Sequence, residues 1–188
     1  SQNTEELRKM VGFKLAGQLP YKIEEIVYDF CFLPLTQPAG YSRVFVVVAL
    51  KEVIRDYLKM LGVFCWQVKA VTVSSFGLEQ TLVAFKNSGQ IDCPERTLLI
   101  FASQKALEVC FLDQNVLTFS SDLEFDEKSL PAEELLKAVR HINTACVCYE
   151  NEVLGNVLEK ILLVGSSPLK GKLEEQLKTI FSLPVENI

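Results

Sequence analysis

Three strand-length apolar runs between residues 97 and 120 constrain this chain more than any other feature. Residues 97–102, 106–112 and 116–120 are rich in aliphatic and aromatic side chains, and only Ser103-Gln104-Lys105 and Asp113-Gln114-Asn115 separate them. Connections this short join neighbouring antiparallel strands, so the stretch predicts a three-stranded meander. An acidic connection, 121–130, leads to Pro131, whose missing N–H costs nothing in the first turn of a helix. That helix is expected to reach about Tyr149. Residues 160–164 read as an apolar strand, 165–168 as a tight turn, 171–181 as a closing helix and 183–185 as a last short strand.

Upstream, Thr4 opens an amphipathic helix carrying Leu7, Met10, Val11 and Leu15 at helical spacing, and Leu19-Pro20 ends it. Residues 25–33 read as a strand in which Ile26, Tyr28, Phe30 and Phe32 alternate with Val27, Asp29 and Cys31. Gln37-Pro38-Ala39-Gly40 reads as a turn. Residues 43–50 form a second strand, apolar on both faces and so expected to be central in its sheet. A helix over 51–61 places Val53, Ile54, Tyr57, Leu58 and Leu61 on one face, with Gly62 as candidate C-cap. A third strand is expected over 63–73, then a helix over 74–85 capped by Ser74 or Ser75. The turn formers Asn87-Ser88-Gly89 and Asp92-Cys93-Pro94 mark a boundary within 86–96. The expectation is an α/β protein with a small helix-plus-β-β-α-β lobe over 1–90 and a second lobe over 91–188. No internal repeat or low-complexity tract is present.

Composition narrows the function. Of 188 residues, 49% are hydrophobic and 23% charged, the profile of a folded chain. The net charge of −5 and scattered Lys and Arg residues argue against a nucleic-acid partner. No apolar run approaches the roughly 18–20 residues of a membrane span. The polar start, Ser1-Gln2-Asn3-Thr4, has no signal-peptide core behind it. Of the six cysteines, Cys31, Cys65, Cys93, Cys110, Cys146 and Cys148, most sit among apolar neighbours and none forms a CxxC pair. They read as structural thiols in a reducing compartment, most simply the cytoplasm.

Catalytic residue types are scarce. His141 is the single histidine and lies inside the long helix, where Cys148 is too far along to partner it. No Walker loop and no GxGxxG occurs. Val164-Gly165-Ser166-Ser167, a strand entering a turn before a helix, is the nearest thing to a phosphate cradle; glycine geometry in a plain turn is the simpler reading. The acidic pairs Glu5-Glu6, Glu24-Glu25, Glu133-Glu134 and Glu174-Glu175 read as solvated faces, three of them in first helical turns where carboxylates favour the dipole. Trp66 reads as a core or lobe-contact residue rather than a ligand platform, and Tyr41 and Phe76 are open to the same two readings.

Five segments, in order, resemble the PilM family of pilus-assembly proteins and the cytoplasmic part of the type II secretion protein GspL, members of the actin-like ATPase superfamily with FtsA. They are Leu19-Pro20-Tyr21-Lys22-Ile23-Glu24-Glu25-Ile26-Val27-Tyr28-Asp29, then Val46-Val47-Val48-Ala49-Leu50-Lys51-Glu52-Val53-Ile54, then Leu61-Gly62-Val63 with Val71-Thr72-Val73-Ser74-Ser75-Phe76-Gly77-Leu78, then 98–119, and last Ile161-Leu162-Leu163-Val164-Gly165-Ser166-Ser167-Pro168-Leu169-Lys170-Gly171-Lys172-Leu173. The resemblance implies an actin-like, RNase H-like second lobe with a mixed sheet flanked by helices. It implies a first lobe like the PilM extra subdomain, with the amino-terminal subdomain absent and the second lobe's inserted subdomain shortened away.

The family's nucleotide site has an Asp-Ile-Gly turn where this chain reads Ile100-Phe101-Ala102-Ser103, and a Gly-Gly where it reads Gly165-Ser166. The degenerate positions are therefore Ala102, Ser103, Gly165, Ser166 and Ser167, with no carboxylate to organise a metal and no catalytic residue, cofactor or metal expected. The resemblance implies a non-catalytic scaffold at the cytoplasmic face of the inner membrane. Its partners would be a PilN-like inner-membrane protein and a secretion or pilus-assembly ATPase, with a homodimer also in view. Tyr21, Tyr28, Tyr41 and Trp66 are the candidate contact residues. The alternative is an actin-like ATPase whose site a missing amino-terminal part completes, with Gly165, Ser166 and Ser167 then touching the nucleotide. An unrelated α/β binding module or enzyme is the third reading.

Overall fold

The structure, a computed structural model, describes residues 4–34, 43–64, 66–126, 130–152 and 157–188. Tyr41, Cys65 and the turn expected at 37–40 lie outside the described residues. Contacts divide the chain into two units. One holds helix α1 (Thr4–Gln18), strands β1 (Ile26–Phe32) and β2 (Val44–Leu50) and helix α2 (Lys51–Val63); the other holds every later element, the division falling between Thr72 and Val73. Helix α3 (Ser74–Asn87), read above as part of the first lobe, thus belongs to the second unit, where it packs on strands β4 (Ala106–Asp113) and β5 (Val116–Glu124).

In the first unit β1 and β2 pair antiparallel over their whole length, Ile26 opposite Leu50 and Phe32 opposite Val44. β2 is not central: it lies in a two-stranded sheet, and each of its residues is only half-buried. The apolar-on-both-faces rule misplaced it because no strand forms over 66–73, which takes neither helical nor strand conformation. The described lobe is therefore β-β-α rather than β-β-α-β. Gly62 does not cap α2 either; the helix runs through Val63 and Phe64 occupies the cap, its amide donating to the carbonyl of Leu61 at 3.0 Å.

α1 is fastened to β1 by polar contacts. Tyr28 donates its hydroxyl to the Arg8 carbonyl at 3.0 Å. Arg8 in turn donates to the Tyr28 carbonyl at 3.3 Å and pairs with Asp29 at 2.8 Å. Its guanidinium lies 5.9 Å and 5.3 Å from the ring centroids of Tyr28 and Phe30. The Arg8 hydrogen bond holds the Asp29 carboxyl below its ordinary value of 3.8. A lowered carboxylate pKa stabilises above the unfolded value and loses that contribution as pH falls through the folded one. Melting curves of the native chain and Asp29→Asn should therefore differ at pH 6 and converge below pH about 4; a constant offset would show that the pair contributes nothing.

The second unit is built on a five-stranded sheet in the order β5-β4-β3-β6-β7, with β3 (Arg96–Ala102), β6 (Lys160–Gly165) and β7 (Val185–Asn187). β3, β4 and β5 form the expected antiparallel meander, while β6 is parallel to β3 and β7 parallel to β6. β5 continues to Glu124, so the acidic connection expected from residue 121 begins as strand. The two-residue turn between β4 and β5 works because Gln114 and Asn115 both adopt positive φ, 52° and 64°, the twist-matched hairpin geometry. Asn115 also accepts a hydrogen bond from Lys86 at 2.8 Å.

One face of the sheet is covered by helices α4 (Pro131–Glu152) and α5 (Lys170–Ile180). Ala138, Ile142, Ala145 and Tyr149 recur at spacings of four and three along α4, giving one apolar stripe. The stripe meets Leu98, Ile100, Leu107, Val109 and Phe111 of the sheet and Leu173 and Leu177 of α5, all fully or almost fully buried. α3 covers part of the other face and caps nothing with Ser74 or Ser75. Buried Ser75 donates instead to Glu108 of β4 at 2.6 Å, and Glu79 accepts the Leu117 amide at 3.1 Å.

Two expectations about side chains change. Glu134 is buried, not solvated, and pairs with Lys137 at 2.8 Å. Cys93, Cys110 and Cys146 are buried, but Cys31 and Cys148 are exposed. Burial pushes the Cys110 and Cys146 thiols up to about 12. At pH 8 their thiolate fraction is of order 10⁻⁴, so they should resist alkylation until the chain unfolds, whereas Cys148 should label in the native state. Mass spectrometry after a timed iodoacetamide pulse reads the difference, and equal labelling of the three would contradict the packing.

Candidate functional site

The five positions singled out at the degenerate nucleotide motifs come together. β3 and β6 are parallel neighbours with Ala102 opposite Gly165, so the carboxyl ends of both strands open at one place although the two residues are 63 positions apart in sequence. After β3 the chain turns at Ser103. Its amide donates to the Ala106 carbonyl at 2.9 Å, and its Oγ accepts the amides of Lys105 and Ala106 at 3.2 and 2.9 Å. Ser103 is thus the closing residue of the β3–β4 hairpin.

After β6 the chain turns at Gly165, at φ +110°, with Ser166 exposed and Ser167 buried. The Ser167 amide donates to the Ala102 carbonyl at 3.0 Å. Its Oγ accepts the Leu169 amide at 3.2 Å, and its carbonyl accepts the Lys170 amide at 3.1 Å where α5 begins. A side chain at Gly165 would overlap the Ala102 carbonyl oxygen and approach its carbonyl carbon to 2.9 Å.

Several of the donors in this arrangement are already engaged. A phosphate cradle works through backbone N–H groups whose acceptor is the ligand. Here the amides of Ser103, Ser167, Leu169 and Lys170 already have acceptors inside the two turns. The side chains at the spot are a methyl group and short hydroxyls. Among the described residues no cluster of three or more His, Cys, Asp or Glu side chains could hold a metal ion.

Of the candidate contact residues, Tyr21, Tyr28 and Trp66 lie in the first unit. Tyr21 is exposed and Trp66 is 65% exposed, its ring 5.7 Å from that of Phe64. Tyr28 is half-buried and committed to α1 through its hydroxyl. Tyr41 lies outside the described residues. Residue-by-residue reading missed the exposed stripe of α2: Ile54 and Leu61 turn inward, while Val53, Tyr57, Met60 and Phe64, spaced four, three and four apart, all face solvent. That spacing was the available signal. It also missed a partner for His141, whose Nε2 lies 3.1 Å from the Ser121 hydroxyl at the junction of α4 and β5. The contact is a helix-to-sheet hydrogen bond.

No protein-family model matches this sequence, and no curated protein matches it. Solved structures do. A PilM–PilN type IV pilus biogenesis complex aligns with a TM-score of 0.69 and 17% identity, covering 100% of this chain and 63% of that one. A Bacteroides thetaiotaomicron protein described as having an actin-like ATPase fold and unknown function aligns with a TM-score of 0.51 and 11% identity, covering 96% of this chain and 60% of that one. The chain has an actin-like fold. The chain spans less than two thirds of either neighbour's length. Among the described residues no helix is long and apolar enough to cross a membrane.

Proposed function

We propose that this actin-like chain is a non-catalytic scaffold of a type IV pilus or type II secretion inner-membrane platform, holding a PilN-like protein at the cytoplasmic face. The carrying observation is the site at the ends of β3 and β6. At the place where the resemblance puts nucleotide phosphates, the amides of Ser103, Ser167, Leu169 and Lys170 have acceptors within the protein, and neither turn sequence, 102–105 or 165–169, carries a carboxylate. An actin-like lobe that keeps the fold and gives up the phosphate contacts retains a framework for partners. The aromatic and aliphatic surface of the first unit, including Tyr21, Tyr57, Phe64 and Trp66, supplies side chains of the kind that dominate protein contacts. In this reading residues 91–188 form the RNase H-like lobe, with α3 packed on its sheet.

Two measurements test it. Calorimetry with Mg-ATP should give no binding heat. Co-purification with the inner-membrane and ATPase components of the same machine should recover a partner, and its clean absence would remove the scaffold reading. Saturable heat would favour instead an ATPase completed by a further part of the protein, a reading supported by the chain's spanning only 63% of the PilM-containing neighbour.

A further inference from the structure

Helix α2 spends only part of its apolar surface inside the first unit. Ile54 and Leu61 are half-buried, whereas Val53, Tyr57, Met60 and Phe64 form a second line along one flank and are 47–62% exposed. Val63 and Trp66 extend the line at its end, the Trp66 ring 5.7 Å from that of Phe64. Side chains of this size at this exposure present on the order of 100–150 Å² each. Six of them exceed the largest apolar patch usual on a monomer, roughly 300–600 Å². They come near the roughly 800 Å² that one partner gives up in a standard interface.

The line has the geometry of a helix-to-helix seam. Spacings of four, three and four are those of the a and d positions of a coiled coil. The spacing also reads the same from either end, which an isologous contact needs, since the same residues must fit on both sides. Turning α2 end for end about a two-fold axis between Leu58 and Lys59 carries the line onto itself. Val53 then faces Phe64 of a second copy, and Tyr57 faces its Met60, so a small side chain meets a large one in the outer layers. The line itself carries no charge. The carboxylate bordering it, Asp56, pairs with Lys59 of its own helix at 3.6 Å, so no like charges are forced together. At about 100° per residue Glu52 and Asp56 both border the line, and acids at that border are ill suited to an anionic lipid surface.

We infer that the Val53–Tyr57–Met60–Phe64 flank of α2 is a docking surface for a second copy of this chain, the two helices packing antiparallel across a two-fold axis. The inference stands on the helix alone and does not rest on the scaffold reading. Sedimentation equilibrium of the full chain over about 1–200 µM tests it, because an interface of this size holds in the micromolar range. Reducing buffer keeps the exposed Cys31 and Cys148 from linking copies. The native chain should pass from monomer to dimer across that range. Tyr57→Lys and Met60→Glu, both at exposed positions, should each raise the dissociation constant about 100-fold or more while leaving the melting temperature unchanged. An equimolar mixture of the two variants should associate again, since the antiparallel register sets the new lysine of one chain against the new glutamate of the other. A native chain that stays monomeric at the highest concentration overturns the proposal. So does a dimer that survives both substitutions, which would place the contact elsewhere, and so does a mixture that fails to associate, which would exclude this register.

Discussion

Gly165→Ala should cost this protein about 3 kcal/mol or more and lower its melting temperature by roughly 6–12 °C. Two terms add. At φ +110° a side chain is strained whatever space surrounds it. Here there is also no space, because the new Cβ would meet the Ala102 carbonyl, with the carbonyl carbon and amide nitrogen at 2.9 and 3.0 Å. The obstacle is backbone in the central strand, which cannot rotate aside as a side chain would. Neighbouring Ser166 is exposed, so Ser166→Ala should stay within about 0.5 kcal/mol and serves as the control. Thermal unfolding followed by circular dichroism decides it. A Gly165→Ala chain melting with the native one would mean that β6 does not approach β3 as described. The result bears on function too. A glycine demanded by the packing of two strands persists whether or not phosphate ever approaches it, so Gly165 alone is no sign of a nucleotide site.

Phe111→Ala should be comparably severe, about 3–5 kcal/mol. Phe111 is fully buried and stacks on Tyr149 of α4 with centroids 4.4 Å apart and planes 20° from parallel. It also meets Phe119 of β5 edge-on at 5.5 Å. One side chain therefore joins the long helix to two strands, and truncation leaves a cavity whose walls belong to different elements and cannot collapse together. Phe111→Leu keeps most of the volume and should lose well under half as much, about 1–1.5 kcal/mol. Urea titrations of the three chains read the series. Equal midpoints for Phe111→Ala and Phe111→Leu would show that ring stacking and volume at this point do not hold α4 to the sheet.

Local pattern was enough for the second unit. The short connections at 103–105 and 114–115 dictated antiparallel neighbours, and the four-and-three spacing of Ala138, Ile142, Ala145 and Tyr149 dictated which side of α4 is buried. Both signals work because hairpins and helix stripes are decided by residues close in sequence. Polar partners were not legible in the same way. Ser75 looks like a cap by type, yet its hydroxyl bonds Glu108, 33 positions away. Glu134 looks solvated as half of an acidic pair but is buried beside Lys137.

β2 shows where the reading of local pattern stops. Seven consecutive apolar residues describe a strand that favours cover on both faces. They do not say which segment provides the cover, and in the structure Ile26–Phe32 pairs with one edge only. Residue type and spacing by themselves determined the meander and the helices and strands of the second unit. Only the tertiary structure brought Ala102 beside Gly165, through the parallel pairing of β3 and β6, and gave the amides of Ser103 and Ser167 internal acceptors. The reason is physical: periodicity records which face of an element avoids water, whereas hydrogen-bond partners across a sheet depend on how distant segments pack.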